Sequence, residues 1–227
     1  MISTVLFDLD GTLVDTAQDL GLALNLQREK HGFAPMPYEA IRPIASHGSR
    51  GLLELGFGLT PQDASFNAMR VEYLDLYETV FIRQPVFLPG MEVLLKQLTV
   101  AGFKWGIVTN KPRRFSVDLL KAVKLENSSL YELSACLLCG DDAKQPKPAP
   151  DTLLMACRAI NSKPDECIYV GDAARDVEAG KAAGMQTVVA LFGYIAERDK
   201  PAEWGADVLI KEPAELLKYL NSLIRSS

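Results

Sequence analysis

Thr4-Val5-Leu6-Phe7-Asp8-Leu9-Asp10-Gly11-Thr12 runs a short apolar segment straight into two carboxylates and a glycine. The apolar residues are consecutive and not alternating, the pattern of a strand covered on both faces, as in a parallel sheet. The same pattern returns at residues 105–108, 136–138, 168–170, 187–191 and 208–210. Between most of these runs lie segments with helical spacing, at 91–101 (stopped by Gly102), 151–160, 175–183 (stopped by Gly184) and 213–224. Strand and helix in alternation predict a doubly wound α/β sheet.

One interval breaks that rhythm. From Thr16 to Arg83 no strand is expected. Residues 16–31 read as a helix closed by Gly32. Thr60-Pro61 reads as a helix start, followed by one apolar face carrying Phe66, Met69, Tyr73, Leu76, Tyr77 and Val80. An insertion of this length is too long for an ordinary connection. The expected organisation is an α/β core of residues 1–15 and 84–227 with an inserted helical cap, 16–83.

Composition narrows the chemistry. The chain has 227 residues, with 24 Lys and Arg against 29 Asp and Glu and a formal net charge of −5. An acidic chain exerts no long-range pull on nucleic acid or anionic lipid, so neither is an expected partner. No apolar run approaches the roughly 20 residues of a membrane span. The first residues lack the pattern of a secretory signal, and the expected location is the cytoplasm. No protein partner is implied. Cys136 and Cys139 form a C-x-x-C, but across a buried strand an offset of three points the side chains to opposite faces, which favours core packing over redox chemistry.

Four motifs each follow an expected strand, and in an open parallel sheet those carboxyl ends share one edge. They are Asp8-Leu9-Asp10-Gly11-Thr12, then Thr109-Asn110, then Lys147-Pro148-Ala149-Pro150, then Gly171-Asp172-Ala173-Ala174-Arg175-Asp176. Paired carboxylates allow one to stay ionised while the other carries a proton. A hydroxyl and free N–H groups at Thr109-Asn110 can bind an oxyanion, and Lys147 adds a lone cation. Carboxylates converging on one point repel each other unless a cation lies between them. An all-oxygen ligand set selects Mg²⁺. Cation, Lys147 and Thr109 together make a positive pocket suited to phosphate.

D-x-D-G-T, T-N, K-P-x-P and G-D-x-x-x-D, in this order, resemble the haloacid dehalogenase superfamily. A helical insertion straight after the first motif is similar to its phosphoglycolate phosphatase and β-phosphoglucomutase branch. The resemblance implies a phosphatase acting on a small phosphorylated metabolite. Asp8 would attack phosphorus and form an aspartyl-phosphate, and Asp10 would protonate the leaving oxygen and then activate water. Asp8, the carbonyl of Asp10 and Asp172 would hold Mg²⁺ with support from Asp176, while Thr109, Asn110 and Lys147 bind phosphoryl oxygens. Ala173 departs from relatives that carry a hydroxyl there. Asp10 favours phosphoryl chemistry, since dehalogenases of this fold lack an acid at that position.

Phe192-Gly193-Tyr194-Ile195, Trp204-Gly205-Ala206-Asp207 and Trp105-Gly106-Ile107-Val108-Thr109-Asn110-Lys111-Pro112 are similar to bacterial members of that branch, some of which hydrolyse N-acetylmuramic acid 6-phosphate. A sugar-phosphate mutase and a receiver-like phospho-aspartate module are the rival readings. Within the insertion, Ser46-His47-Gly48-Ser49-Arg50-Gly51 reads as a polar turn between helices. His47 and Arg50 are its candidate substrate-reading residues. Lys111, Arg113 and Arg114 form a basic cluster that is either a solvated face or an attractant for an anionic substrate.

Overall fold

The computed structural model describes residues 1–225. Its central sheet has six strands: β1 (Thr4–Phe7), β2 (Lys104–Val108), β3 (Leu137–Leu138), β4 (Cys167–Gly171), β5 (Gln186–Ala190) and β6 (Val208–Ile210). They lie side by side in the order β6-β5-β4-β1-β2-β3, and every neighbouring pair is parallel. The doubly wound sheet expected from the apolar runs is therefore present. The third run is shorter than expected, with only Leu137 and Leu138 pairing at the sheet edge, opposite Ile107 and Val108.

Consecutive apolar residues divide between the two faces as the pleat requires. Val5 and Phe7 of β1, with Ile168 and Val170 of β4, join a core on one face. Leu6 joins Tyr169, Val108, Leu153 and Ala179 on the other. Helices α4 (Met91–Val100), α5 (Arg113–Ala122) and α8 (Pro213–Arg225) cover the first face through Leu94, Leu98, Phe115, Leu119, Leu216 and Leu220. Helices α6 (Asp151–Ile160) and α7 (Ala174–Ala183) cover the second. Truncating a residue such as Leu6, which is fully buried, to Ala costs about 2–5 kcal/mol.

Residues 17–81 carry helices joined by loops, with no strand among them. They comprise α1 (Ala17–Lys30), α2 (Gly48–Phe57), α3 (Phe66–Glu78) and the shorter pieces Tyr38–Ile41 and Arg42–His47. The chain leaves through Val14–Asp15 and returns through Val86–Phe87, and these two segments pair antiparallel. The interior of this layer is continuous with the first sheet face: Leu20, Leu24, Leu52, Tyr73 and Tyr77 share a core with Phe7 and Phe115.

Two local readings need correction. Helix α3 begins at Phe66 and not at Pro61. The Thr60 N–H and hydroxyl both donate to Asp63 Oδ2, at 2.7 and 2.8 Å. The Asp63 N–H in turn donates to Thr60 O at 2.9 Å, so residues 60–63 close a turn of their own ahead of the helix. Ser46–Gly51 is not a turn between helices. A 3₁₀ segment, Arg42–His47, joins α2 directly at Gly48, whose φ of 58° supplies the bend. Among the described residues no helix is long and apolar enough to cross a membrane.

Candidate active site

The sheet order reverses at β1. From there the chain moves to β2 and β3 on one side, then returns to β4, β5 and β6 on the other. Such a switch point opens a crevice at the carboxyl ends of the strands. Asp8 is the residue after β1, and its N–H continues the ladder by donating to Val170 O at 2.8 Å. The same crevice receives Thr109 after β2, Asp172 after β4 and Lys147 from the approach to α6.

Lys147 lies at the centre of a buried set. Its ammonium is 3.0 Å from Asp8 Oδ1 and 2.8 Å from Asp176 Oδ1, and donates to the Tyr169 hydroxyl at 2.6 Å. Tyr169 passes its own proton to Val108 O at 2.8 Å. The lysine and both carboxylates are almost wholly sequestered from solvent. Asp8 is pushed upward because burial outweighs the attraction of Lys147. Burial also pushes Asp176 up, but Lys147 and then Arg175 outweigh it and hold the acid below its ordinary value.

Asp172 is the least satisfied member of the group. Oδ2 accepts from the Ser46 hydroxyl at 2.6 Å and from the Tyr194 N–H at 2.8 Å. Oδ1 is buried and has no hydrogen-bond partner. Burial first, and then the charges of Asp8 and Asp176, push this acid up to about 7. The close packing around it depends on two glycines. A Cβ at Gly11, whose φ is 81°, would overlap Asp172 Oδ2, and one at Gly193 would overlap the Asp172 side chain and Gly11 O.

Asp8, Asp172 and Asp176 each offer an oxygen within 4.8 Å of the others'. An orphaned, buried carboxylate oxygen inside a hard all-oxygen triad is the environment a divalent cation satisfies. The residues present therefore fit such an ion. The carboxylate of Asp10 lies outside that triad. Its Oδ1 accepts from the Thr16 hydroxyl at 2.6 Å and from Lys111 Nζ at 3.0 Å.

The second motif differs from its sequence reading. The Thr109 N–H is not free: it donates to Leu138 O at 2.9 Å, one rung beyond the strand. The Thr109 hydroxyl accepts from the Lys111 N–H at 3.1 Å and keeps its own proton to donate. Asn110 braces the third motif, with its amide donating to Lys147 O at 2.8 Å and its carbonyl accepting from the Lys147 N–H at 3.0 Å.

A cleft of about 540 Å³ adjoins Lys147 and Asn110 and is lined also by Arg175, Arg198, Ser46, His47, Arg50 and Glu54. His47 and Arg50 thus face the same space as Lys147. Burial, followed by the charges of Arg175 and Arg198, holds His47 below its usual value. On the Asp10 side lies a smaller compartment of about 100 Å³, which Asn110 also lines.

Several residues at the site escape the motif reading. Arg175 Nη2 donates to Ser46 O at 2.7 Å and lies 4.0 Å from Asp8 Oδ2. Its only sequence signal is its place just before Asp176. Of the basic cluster, Lys111 alone turns inward to Asp10, while Arg113 pairs with Asp142 and Arg114 with Glu78. Tyr194 donates to Asp15 at 2.7 Å and accepts from the Thr16 and Ala17 N–H groups at 2.7 and 3.0 Å. The C-x-x-C is a pair of free thiols, Cys136 and Cys139, and burial pushes both up to about 11.

Residues 5–190 match the family described as haloacid dehalogenase-like hydrolase. The chain is 36% identical over 223 residues to an N-acetylmuramic acid 6-phosphate phosphatase of Pseudomonas putida, covering 98% of each chain. It is 39% identical over 212 residues to a phosphoglycolate phosphatase of Xanthomonas campestris pv. campestris, covering 93% of each. The fold is similar to the crystal structure of a predicted phosphoglycolate phosphatase from Haemophilus somnus, with a TM-score of 0.81 and 22% identity over 96% of this chain and 98% of the other.

Proposed function

The chain belongs to the haloacid dehalogenase-like hydrolase family, and on that footing we propose that it is a Mg²⁺-dependent phosphatase in which Asp8 attacks the phosphoryl group of a small phosphorylated metabolite. The observation that carries this reading is the setting of Asp8: buried at the sheet edge, 3.0 Å from Lys147 and 4.0 Å from Arg175, with Asp172 and Asp176 beside it.

Asp8 Oδ1 is occupied by the Leu9 N–H at 2.8 Å and by Lys147, so Oδ2 is the oxygen free to attack. Attack forms an Oδ2–P bond and breaks the bond from phosphorus to the ester oxygen. Asp10 Oδ1 is held by Thr16 and Lys111, which leaves Oδ2 to hand a proton to the departing oxygen. In the second half Asp10 takes a proton from water as that water displaces the aspartyl group from phosphorus. Lys147, Arg175 and the Thr109 hydroxyl would bind phosphoryl oxygens, and Asn110 would act by holding Lys147 in place. Asp8, Asp172, Asp176 and the Asp10 carbonyl would hold the cation, which when bound neutralises charge on the phosphoryl oxygens and between the carboxylates.

Residues 16–83 would act as a cap that excludes water, with the wall bearing His47 and Arg50 meeting the rest of the substrate. The two named relatives point to 2-phosphoglycolate and N-acetylmuramic acid 6-phosphate as the compounds to try first. Phosphate release from both should be measured with Mg²⁺ and with EDTA. Release from at least one, abolished by EDTA and restored by Mg²⁺, is the expected result. Release unaffected by EDTA would overturn the cation assignment, and absence of release from either would remove support for the substrate class.

A further inference from the structure

The helical region meets the carboxylate triad at Ser46. This residue lies in the 3₁₀ segment Arg42–His47, just before the bend at Gly48. Its hydroxyl donates to Asp172 Oδ2 at 2.6 Å, and its carbonyl accepts from Arg175 Nη2 at 2.7 Å. The contact passes over Gly11, where a Cβ would stand 3.0 Å from Ser46 Oγ and overlap Asp172 Oδ2. The other donor to Asp172 Oδ2 is the Tyr194 N–H, and the Tyr194 hydroxyl accepts from the Thr16 and Ala17 N–H groups where α1 begins. Both groups that hold Oδ2 are therefore tied to the helical region. Oδ1, the other oxygen, is buried and has no partner.

Holding one oxygen of a carboxylate fixes the direction of the other. Hydrogen bonds that orient a metal ligand in this way change metal affinity by about 10–100-fold. Linkage makes the effect reciprocal: if docking of Ser46 favours the ion, the ion favours docking of Ser46 by the same factor. The residues carried along with Ser46 are His47 and Arg50, which line the cleft beside Lys147.

We propose that Ser46 is a positioning residue linking the cation site to the segment that carries His47 and Arg50. It orients Asp172 so that Oδ1 is left for the ion, and the bound ion in turn holds residues 42–51 against the body. The inference rests on the cation assignment above and adds a conformational role for the ion. Mg²⁺ then serves two parts of the molecule at once, the carboxylates that carry the reaction and the segment that meets the rest of the substrate.

The test uses the whole protein with Mg²⁺ alone and no substrate. Calorimetric titration should show Ser46→Ala binding Mg²⁺ about tenfold more weakly than the wild type. Amide hydrogen exchange should show residues 42–51 of the wild type slowed by saturating Mg²⁺ relative to EDTA. In Ser46→Ala at saturating Mg²⁺ that slowing should be lost. A serine that only satisfies a buried acid would lower the melting temperature in EDTA, but it would leave the exchange response to Mg²⁺ as in the wild type. The wild-type exchange comparison needs no variant, and a segment indifferent to Mg²⁺ there would overturn the proposal. Mg²⁺ affinity within about twofold of wild type in Ser46→Ala would also overturn it, while leaving the cation assignment standing. Absence of Mg²⁺ binding by the wild type would overturn that assignment itself.

Discussion

In the α/β body, the groups at the site are bound to one another. Lys147 touches Asp8, Asp176 and Tyr169, and each of these is buried. The helical residues 17–81 meet the same site differently. They touch its carboxylates through one short segment, where Ser46 bonds Asp172 by its hydroxyl and Arg175 by its carbonyl. Otherwise they present side chains to open space, Arg50 and His47 to the larger cleft and Arg70 to the smaller compartment. A bonded, buried constellation cannot change without losing its geometry, whereas residues facing open space can vary with the ligand. On the proposed reading, the reaction belongs to the body and selection to the helices.

That assignment can be broken most sharply at Asp8. Asp8→Asn should lower turnover by about four orders of magnitude or more, because the attacking oxygen is replaced by a poor nucleophile. Folding should survive, as judged by circular dichroism and melting. Wild-type rates in this variant would end the case for the body as the reacting part.

Lys147→Met comes next, and it should affect both fold and rate. Removing the ammonium leaves Asp8 and Asp176 facing each other without compensation. Breaking a buried pair in this way costs about 3–5 kcal/mol. Turnover should fall by about two to three orders of magnitude through loss of a phosphoryl-binding charge. Urea unfolding and kcat measured side by side would check both, and an unchanged urea midpoint would contradict the buried network.

A smaller effect is expected in the pH response of Asp172. Its acid is raised to about 7 by burial, then by Asp8 and Asp176, so the folded state holds that proton more tightly than the unfolded chain does. The associated stabilisation is complete below the unfolded value of about 3.9 and is lost as pH rises through the folded one. In EDTA, the wild-type protein should therefore lose melting temperature relative to Asp172→Asn between roughly pH 5 and pH 8. A difference that stayed constant with pH would show that the acid is not shifted.

The smallest effect sharpens the comparison from the other side. Arg50→Ala should raise KM by about threefold to tenfold with kcat changed less than about twofold, as when uniform binding is removed. A large kcat loss would place Arg50 among the reacting groups and blur the division.

The body was the legible part of the sequence, for local reasons. Consecutive apolar residues at Thr4–Phe7 and the stops at Gly102 and Gly184 each report on their own neighbourhood, and the structure agrees with them to within a residue or two. The convergence of Asp8, Thr109, Lys147 and Asp172 followed from one topological rule about strand ends. What stayed hidden depends on side-chain direction across long separations. Lys111 and Arg113 are two residues apart, yet one turns to Asp10 and the other to Asp142. The Ser46 contact with Asp172 spans 126 positions. The start of α3 departs from its sequence signal because Thr60 and Asp63 close a turn of their own, which composition at Thr60-Pro61 does not disclose.

Tyr194 joins the two regions in a way that matters to anyone wishing to exchange them. Its N–H holds Asp172, while its hydroxyl receives the first N–H groups of the helical region from a position 178 residues further along the chain. A chimera that transplants a relative's helices onto this body would ask the incoming segment to dock on a phenol the graft does not carry. Asp15, which accepts from that phenol, would stay behind in the body. The transferable module is thus discontinuous, the helices together with the loop at 192–194, and a swap that ignores the loop would disturb the acid at the far end of the same residue.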